Sequence, residues 1–335
     1  MSTKGPANDM ASVSATPPST TIRRHISPVT RSMFFLLLAY VLLFLVLSWQ
    51  APNFTSSSNL LNILRHMAMI AICGVGLTMV IVAAEIDLSV GSVAAFCGVC
   101  MALFAVTWAI PLPIAMIMTL MLGAAFGAFT GTLRVLLKIP SFITSLALLT
   151  ALRSGAFLVS GGFPIAPMPE GFSFWGNGWI GPLPVPVVIM VIAYALGYIV
   201  MARTSWGRAI YAVGGNEEAA RLSGISVPGV KIGVFAISGA LAALAGILLA
   251  SRLNSGTPTV AQGMELEVIA AVIIGGTSLF GGAGSVLGTL LGALFMATLK
   301  NGMVLMGVSP YSQGVVSGVV IVLAVLLGAL QMRRR

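Results

Sequence analysis

Met33-Phe34-Phe35-Leu36-Leu37-Leu38-Ala39-Tyr40-Val41-Leu42-Leu43-Phe44-Leu45-Val46-Leu47-Ser48-Trp49 is a run of seventeen residues without a charge. A helical span needs about 20 apolar residues to cross roughly 30 Å of hydrocarbon. A cleavable signal peptide is the competing reading, but the run exceeds a typical apolar core and no small-x-small cleavage site follows it. It therefore reads as an uncleaved first span. Arg23, Arg24 and Arg31 precede it, so the chain is expected to enter the membrane from the cytoplasm. Residues 1–32, rich in Ser, Thr and Pro, read as a disordered cytoplasmic tail.

The same pattern recurs along the chain. Apolar runs sit near residues 33–50, 60–83, 90–108, 112–134, 141–160, 184–202, 231–251, 265–280, 285–306 and 311–330. The eighth is short and ends in a glycine-rich break, Gly275-Gly276-Thr277-Ser278-Leu279-Phe280-Gly281-Gly282, so a broken helix is an alternative there. Of the 335 residues 58% are hydrophobic and 7% charged, against about 25% charged in soluble domains. That excludes an ordinary soluble enzyme, a disordered chain and a nucleic-acid-binding domain. The expected fold class is an all-α polytopic membrane protein of about ten transmembrane helices, with a permease domain at 33–330 and a basic cytoplasmic tail at 331–335.

Charge placement agrees with ten spans. Threading them from a cytoplasmic N-terminus puts 13 of the 17 lysines and arginines inside. They are Lys4, Arg23, Arg24, Arg31, Arg134, Lys138, Arg203, Arg208, Arg221, Lys231, Arg333, Arg334 and Arg335. Both termini come out cytoplasmic, and residues 161–184 form a periplasmic loop. Gly123, Gly127 and Gly131 repeat at i, i+4, i+8, as do Gly284, Gly288 and Gly292. Such stripes let helices approach closely in lipid, either as static packing or as sliding interfaces. Val90-Gly91-Ser92-Val93 is echoed by Ala283-Gly284-Ser285-Val286, a faint sign of an internal repeat.

Enzyme chemistry is missing from the sequence. No His/Cys/Asp/Glu cluster has metal-ligand spacing, no serine sits in a nucleophile elbow, and no lysine belongs to a phosphate-binding loop. Cys97 and Cys100 lie within an apolar run and read as small hydrophobes. No cofactor is expected, and a conduit is the better class.

The few polar residues at membrane depth are then the pathway or gate candidates: Glu85, Asp87, Ser89, Thr130, Arg153 and Glu265. Asp87 or Ser89 could instead cap the third span by accepting from its first amides. Arg153, in mid-run, must snorkel, pair or face a wet cavity. Arg65 and His66, near the outer end of the second span, are explained by snorkelling.

The most specific stretch lies between the sixth and seventh spans. It runs through Gly207, Arg208, Tyr211, Gly214, Gly215, Asn216, Glu217, Glu218, Ala219, Ala220, Arg221 and Gly224. Asn216 suits an N-cap. Glu217 and Glu218 sit at the positive helix end and Arg221 near the negative end. Glu217 and Arg221 are spaced for an i, i+4 pair, and Gly224 is placed to stop the helix. A short capped helix in an exposed loop at 203–230 is either a surface turn or a docking element for a soluble partner.

These residues resemble the coupling loop of monosaccharide (ribose/xylose-type) ABC importer permeases, within the branched-chain amino acid/sugar permease superfamily. Asn62-Ile63-Leu64-Arg65, Ile86-Asp87-Leu88-Ser89-Val90-Gly91-Ser92 and Ile269–Leu279 are similar to that family's other motifs. The resemblance implies a type II-like permease bundle in the bacterial inner membrane, working as a pair with a second copy or a close paralogue in contact with membrane lipid. It implies a cytoplasmic ATPase subunit on the coupling loop, a periplasmic sugar-binding protein on the opposite face and no nucleic acid. Departures from the family pattern are Glu85 for Gly, His66 for Gln, Thr130 for Asn, Ser141 for Pro and Glu267 for Asp. The alternatives are a same-superfamily permease for another small solute, such as a branched-chain amino acid, and an ion-coupled secondary transporter.

Overall fold

The computed structural model describes residues 28–332. Residues 1–27 and 333–335 of the two predicted tails, 1–32 and 331–335, lie outside that range; residues 28–32, expected to be disordered, instead begin the first helix, and 331–332 end the last one.

Helices account for nearly every element. In chain order they are α1 (Pro28–Gln50), α2 (Ser57–Val82), α3 (Val90–Ala102), α4 (Leu112–Leu136) and α5 (Ser141–Ser160), with a π-helical turn at Leu103–Thr107 extending α3. A short outer element follows: α6 (Phe174–Asn177) and an antiparallel hairpin of β1 (Trp179–Ile180) and β2 (Leu183–Pro184). Then come α7 (Val185–Arg203), α8 (Ser205–Gly215), α9 (Glu217–Leu222), α10 (Val227–Leu253), α11 (Met264–Ile274), α12 (Val286–Leu305) and α13 (Pro310–Met332). The starts are chemically marked. Ser56, Thr204, Asn216, Ser226 and Ser285 each accept a hydrogen bond from a first-turn amide. Proline occupies the first turn of α4, α7 and α10, where its missing N–H costs nothing.

α2 runs through the middle, buried almost throughout from Met67 to Val82, against α10, α12, α7 and α11. α1, α4, α5 and α7 turn leucine, isoleucine and phenylalanine outward, as Leu38, Ile117, Phe142 and Leu196 show. An apolar belt of that kind is stable only against lipid, where every backbone group must be satisfied within its own helix.

Among the described residues eight helices are long and apolar enough to cross a membrane. They coincide with the first seven and the ninth of the ten predicted runs. The eighth differs. In place of a span at 265–280 there is the 11-residue α11, followed by an irregular stretch at 275–285. At 1.5 Å per residue α11 is roughly 16 Å long, about half a bilayer core. The glycines that end it let the chain turn back, with Gly276, Gly281 and Gly282 all at positive φ. The tenth run falls on α13, a helix of 23 residues.

Both glycine stripes are helix contacts. A Cβ at Gly127 would strike the Phe235 carbonyl, and one at Gly123 the Gly239 carbonyl, so α4 and α10 touch backbone to backbone. Gly288 and Gly292 abut Gly275 and Ala271 and press α12 onto α11. The echoing tetrapeptides each open a helix, α3 and α12, directly after an irregular segment.

Candidate coupling surface and solute pathway

The exposed loop begins where α7 ends. Thr204 Oγ1 accepts from Gly207 N at 3.0 Å and starts α8. A Cβ at Gly207 would collide with the Val200 carbonyl, so only glycine allows the tight turn between α7 and α8. α8 is amphipathic: Ile210, Val213 and Gly214 are buried, while Arg208 and Gly215 are exposed. Gly214 rests on the Val82 carbonyl at the end of α2. The same carbonyl accepts from Gly282 N at 2.9 Å, and Tyr211 Oη donates to the Gly284 carbonyl at 2.9 Å. α8 is thus seated on the end of α2 and on the irregular stretch after α11. The sequence reading saw one short helix here and missed α8; the spacing of Trp206, Ile210, Val213 and Gly214 is the signal that would have found it.

α9 is capped as expected. Asn216 Oδ1 accepts from Ala219 N at 3.0 Å. Gly224 adopts φ +81°, and Ile225 N and Gly224 N donate back to the Ala220 and Arg221 carbonyls, closing the helix. The expected Glu217–Arg221 pair is not formed. Arg221 binds Glu218 at 2.6 Å, three residues away, and that bond holds the Glu218 carboxyl below the usual carboxylate range. Glu217 instead reaches Lys231 Nζ on α10 at 2.7 Å, because Lys231 is buried and has no solvent of its own. Ala220 faces inward, whereas Gly215 to Ala219, Arg221, Leu222, Ser223 and Gly224 are exposed.

A second cluster occupies the break between α2 and α3, residues 83–89. Glu85 is buried and accepts from Arg134 Nε on α4 and from Lys231 Nζ on α10, both at 2.8 Å. Asp87 Oδ1 accepts from Ser89 N at 2.9 Å and Ser89 Oγ at 2.6 Å, and Oδ2 accepts from Ser238 Oγ on α10 at 3.0 Å. Neither Asp87 nor Ser89 caps the first amides of α3; Ser89 occupies the N-cap position with no side-chain cap bond. The capping alternative therefore falls, and Asp87 closes an Asx-type turn before the helix. Ser238 stands eleven residues into the 27-residue α10, roughly 16 Å along its axis. That places the Asp87 carboxylate at mid-span depth. An open surface hollow of about 370 Å³ lies beside the break, lined by Glu85, Arg134, Lys138 and Ser141 among others and not by Asp87.

A third cluster lies on the other side of Gly91. The Arg153 guanidinium on α5 donates to the carbonyls of Pro258, Val260 and Ala261 at 3.2, 2.7 and 3.1 Å. It pairs with backbone, and so holds the irregular segment 254–263 against α5. Glu265 follows at the start of α11; its Oε2 is buried without a hydrogen-bond partner and faces Gly91. Thr130 is buried on α4 and bonds back to the Phe126 carbonyl, within the helix contact and away from this cluster. Arg65 is placed over the Trp179 ring at 4.7 Å, and Lys300 pairs with Glu267. Lys231 and Ser238 escaped sequence reasoning as site residues. Two isolated polar residues seven apart in an apolar run, hence on one helix face, were the available signal.

Among the described residues no group of three or more metal-ligating side chains comes together. The chain matches, over residues 59–325, the family described as branched-chain amino acid transport system / permease component. It is 42% identical to the probable ABC transporter permease protein YphD of Escherichia coli over 93% of this chain and 92% of that relative. It is 44% identical to the ribose import permease protein RbsC of Escherichia coli, over 87% and 92%. It is 35% identical to that organism's xylose transport system permease protein XylH, over 90% and 93%. No solved structure gives a significant match.

Proposed function

The chain belongs to the branched-chain amino acid transport system / permease component family, and on that premise we propose that it is the membrane-spanning permease subunit of an ATP-binding-cassette importer for a monosaccharide. It is a multi-pass protein of the bacterial inner membrane and not itself an enzyme. The ribose and xylose permeases among its relatives carry the sugar assignment. A cytoplasmic ATPase binds Gly207–Gly224, a periplasmic sugar-binding protein docks on the opposite face, and a second permease copy or a close paralogue completes a type II-like pair. Both termini are cytoplasmic.

The observation that carries the coupling assignment is the seat of α8 and α9. They present capped, exposed backbone on one side, while Gly214 and Tyr211 on the other touch the end of α2 and the irregular stretch after α11. A push on this surface arrives at the end of α2 and at the stretch after α11 without passing through a flexible linker. The pathway candidates are Asp87 and Ser89 on the irregular backbone before α3, Arg153 on α5 and Glu265 in the first turn of α11. Sugar hydroxyls donate to carboxylates and accept from guanidinium, and the unpaired Glu265 Oε2 is a free acceptor. An ion-coupled mechanism draws on paired acids at the midplane, whereas the Asp87 carboxylate is held by two serines.

The test uses exposed α9 positions remote from Lys231. Glu218→Lys combined with Leu222→Asp should leave membrane abundance and binding-protein docking intact, while ATPase capture and sugar-stimulated hydrolysis fall at least about tenfold, the loss expected when charge complementarity is reversed at a docking surface. Full capture and stimulation in that variant would show the loop to be a surface turn only.

A further inference from the structure

Four charged groups form one chain through the protein from the docking surface to the break. Glu217 on α9, Lys231 on α10, Glu85 on the 83–89 segment and Arg134 on α4 are linked by contacts of 2.7, 2.8 and 2.8 Å. Lys231 and Glu85 are 3% and 4% exposed. Burying an ammonium and a carboxylate is costly, and the cost is offset only while each meets an opposite charge in good geometry. One ammonium here serves two carboxylates from two different elements, so neither can move away without stranding it.

We propose that Lys231 and Glu85 are positioning residues of the transport cycle, an ionic link that carries displacement of α9 to the irregular backbone holding Asp87. The inference rests on the coupling assignment above. Three features support it. First, α10 grips the break at two levels on one face: Lys231 holds Glu85 and, two turns on, Ser238 holds Asp87. Second, the other ties of the break are single contacts to its neighbours: Glu85 N donates to the Val80 carbonyl of α2 at 3.1 Å and Ala84 abuts Gly281. Ala84 sits at φ +60°, Ile86 N donates to Ser141 Oγ at 3.1 Å, and the Ile86 carbonyl receives a long 3.4 Å contact from Ser145. Third, the two ends of the chain are wet while its middle is dry. Glu217 and Arg134 side chains are 55% and 27% exposed, so the outer groups can exchange partners with water when the inner pair cannot.

That arrangement also supplies a clean perturbation. Lys231→Met with Glu85→Gln removes the inner pair as a neutral unit and leaves Glu217 and Arg134 with solvent, so no buried charge is stranded. The experiment reads the break directly in the assembled importer. The native Cys73, Cys97 and Cys100 are buried and silent to maleimide. Ile86→Cys, at an exposed position, reports on the break, and Leu222→Cys reports on α9. In the otherwise unchanged permease, a non-hydrolysable ATP analogue should alter the labelling rate at both sites, by about fivefold or more at Ile86→Cys. In the Lys231→Met, Glu85→Gln background the Leu222→Cys response should persist in captured complexes and the Ile86→Cys response should fall below about twofold. Glu217→Gln, which cuts the outer end of the link at an exposed residue and leaves the buried pair in place, should have the same selective effect. A purely structural role would lower permease abundance and leave the response per folded complex unchanged. A full Ile86→Cys response in both backgrounds would overturn the proposal. ATPase capture is scored separately in every sample, so a failure of docking and a failure of transmission give different results.

Discussion

Asp87 shows what a single residue decides. Its carboxylate satisfies three buried donors, the Ser89 amide, the Ser89 hydroxyl and the Ser238 hydroxyl. Asp87→Leu leaves all three unpaired, at about 1–3 kcal/mol each, and the amount of folded protein in the membrane should fall. Asp87→Asn keeps an acceptor for Ser89, and the Ser238 hydroxyl can turn to accept from the new amide, so abundance should stay normal. Uptake by Asp87→Asn should nevertheless drop strongly, because the charged acceptor offered to the solute is gone. Normal uptake of radiolabelled sugar by that variant would remove Asp87 from the pathway. The spacing Asp87-x-Ser89 was visible in the sequence. That Ser238, 151 positions away, completes the site was not, because contacts between distant helices leave no trace in one sequence.

At the level of elements, the glycine stripe on α4 makes a sharp comparison. A side chain at Gly127 must push against the Phe235 carbonyl, which is backbone and cannot swing aside. Gly127→Leu should separate α4 from α10 and cost about 1–3 kcal/mol or more. Gly314→Leu on α13, where an added Cβ meets nothing within 4 Å, should be tolerated. Thermal stability of the purified permease in detergent, followed by size-exclusion recovery after heating, separates the two; equal stability would mean that α4 and α10 do not pack backbone to backbone. The i, i+4, i+8 repeat announced a close contact but could not say with which helix. The α9 helix teaches the complementary lesson. Its caps were readable because capping is local, reaching from Asn216 to Ala219 at one end and from Ile225 to Ala220 at the other. The partner of Glu217 was not, since a buried lysine fourteen positions on outcompeted Arg221, which can be solvated where it stands.

For the molecule as a whole, charge asymmetry sets the expected orientation. Reporter fusions at residue 215 should give a cytoplasmic signal and a fusion near residue 172 a periplasmic one. A cytoplasmic signal at 172 would invert the assignment of α8 and α9 to the ATPase side. The described helices also limit how the chain crosses. α11 lies antiparallel to α12, with Gly275 at Gly288 and Ala271 at Gly292, and its length of roughly 16 Å is about half the hydrocarbon thickness. Irregular backbone at membrane depth is tolerated only where protein or water, and not lipid, surrounds it. The irregular segments 83–89 and 275–285 meet at the end of α2, where Gly281 abuts Ala84 and Gly282 N donates to the Val82 carbonyl, whereas 254–263 lies apart, bridged to Ile165 through Gly256 and clasped by Arg153.

Composition and hydropathy by themselves determined that this is a helical membrane protein. They also located most of its spans, and the local capping pattern located the exposed α9, because the transfer of apolar residues into lipid and the capping of helix ends are properties of short stretches of chain. The order of the motifs pointed to its family. Only the tertiary structure decided that the eighth run stops halfway, that Arg153 clasps backbone carbonyls, and that Asp87 lies beside Ser238. Only there does Lys231 appear between Glu217 and Glu85. Each of these depends on which buried groups meet across helices, and a buried charge or hydroxyl takes the partner that the fold brings within hydrogen-bonding distance, wherever that partner stands in the sequence.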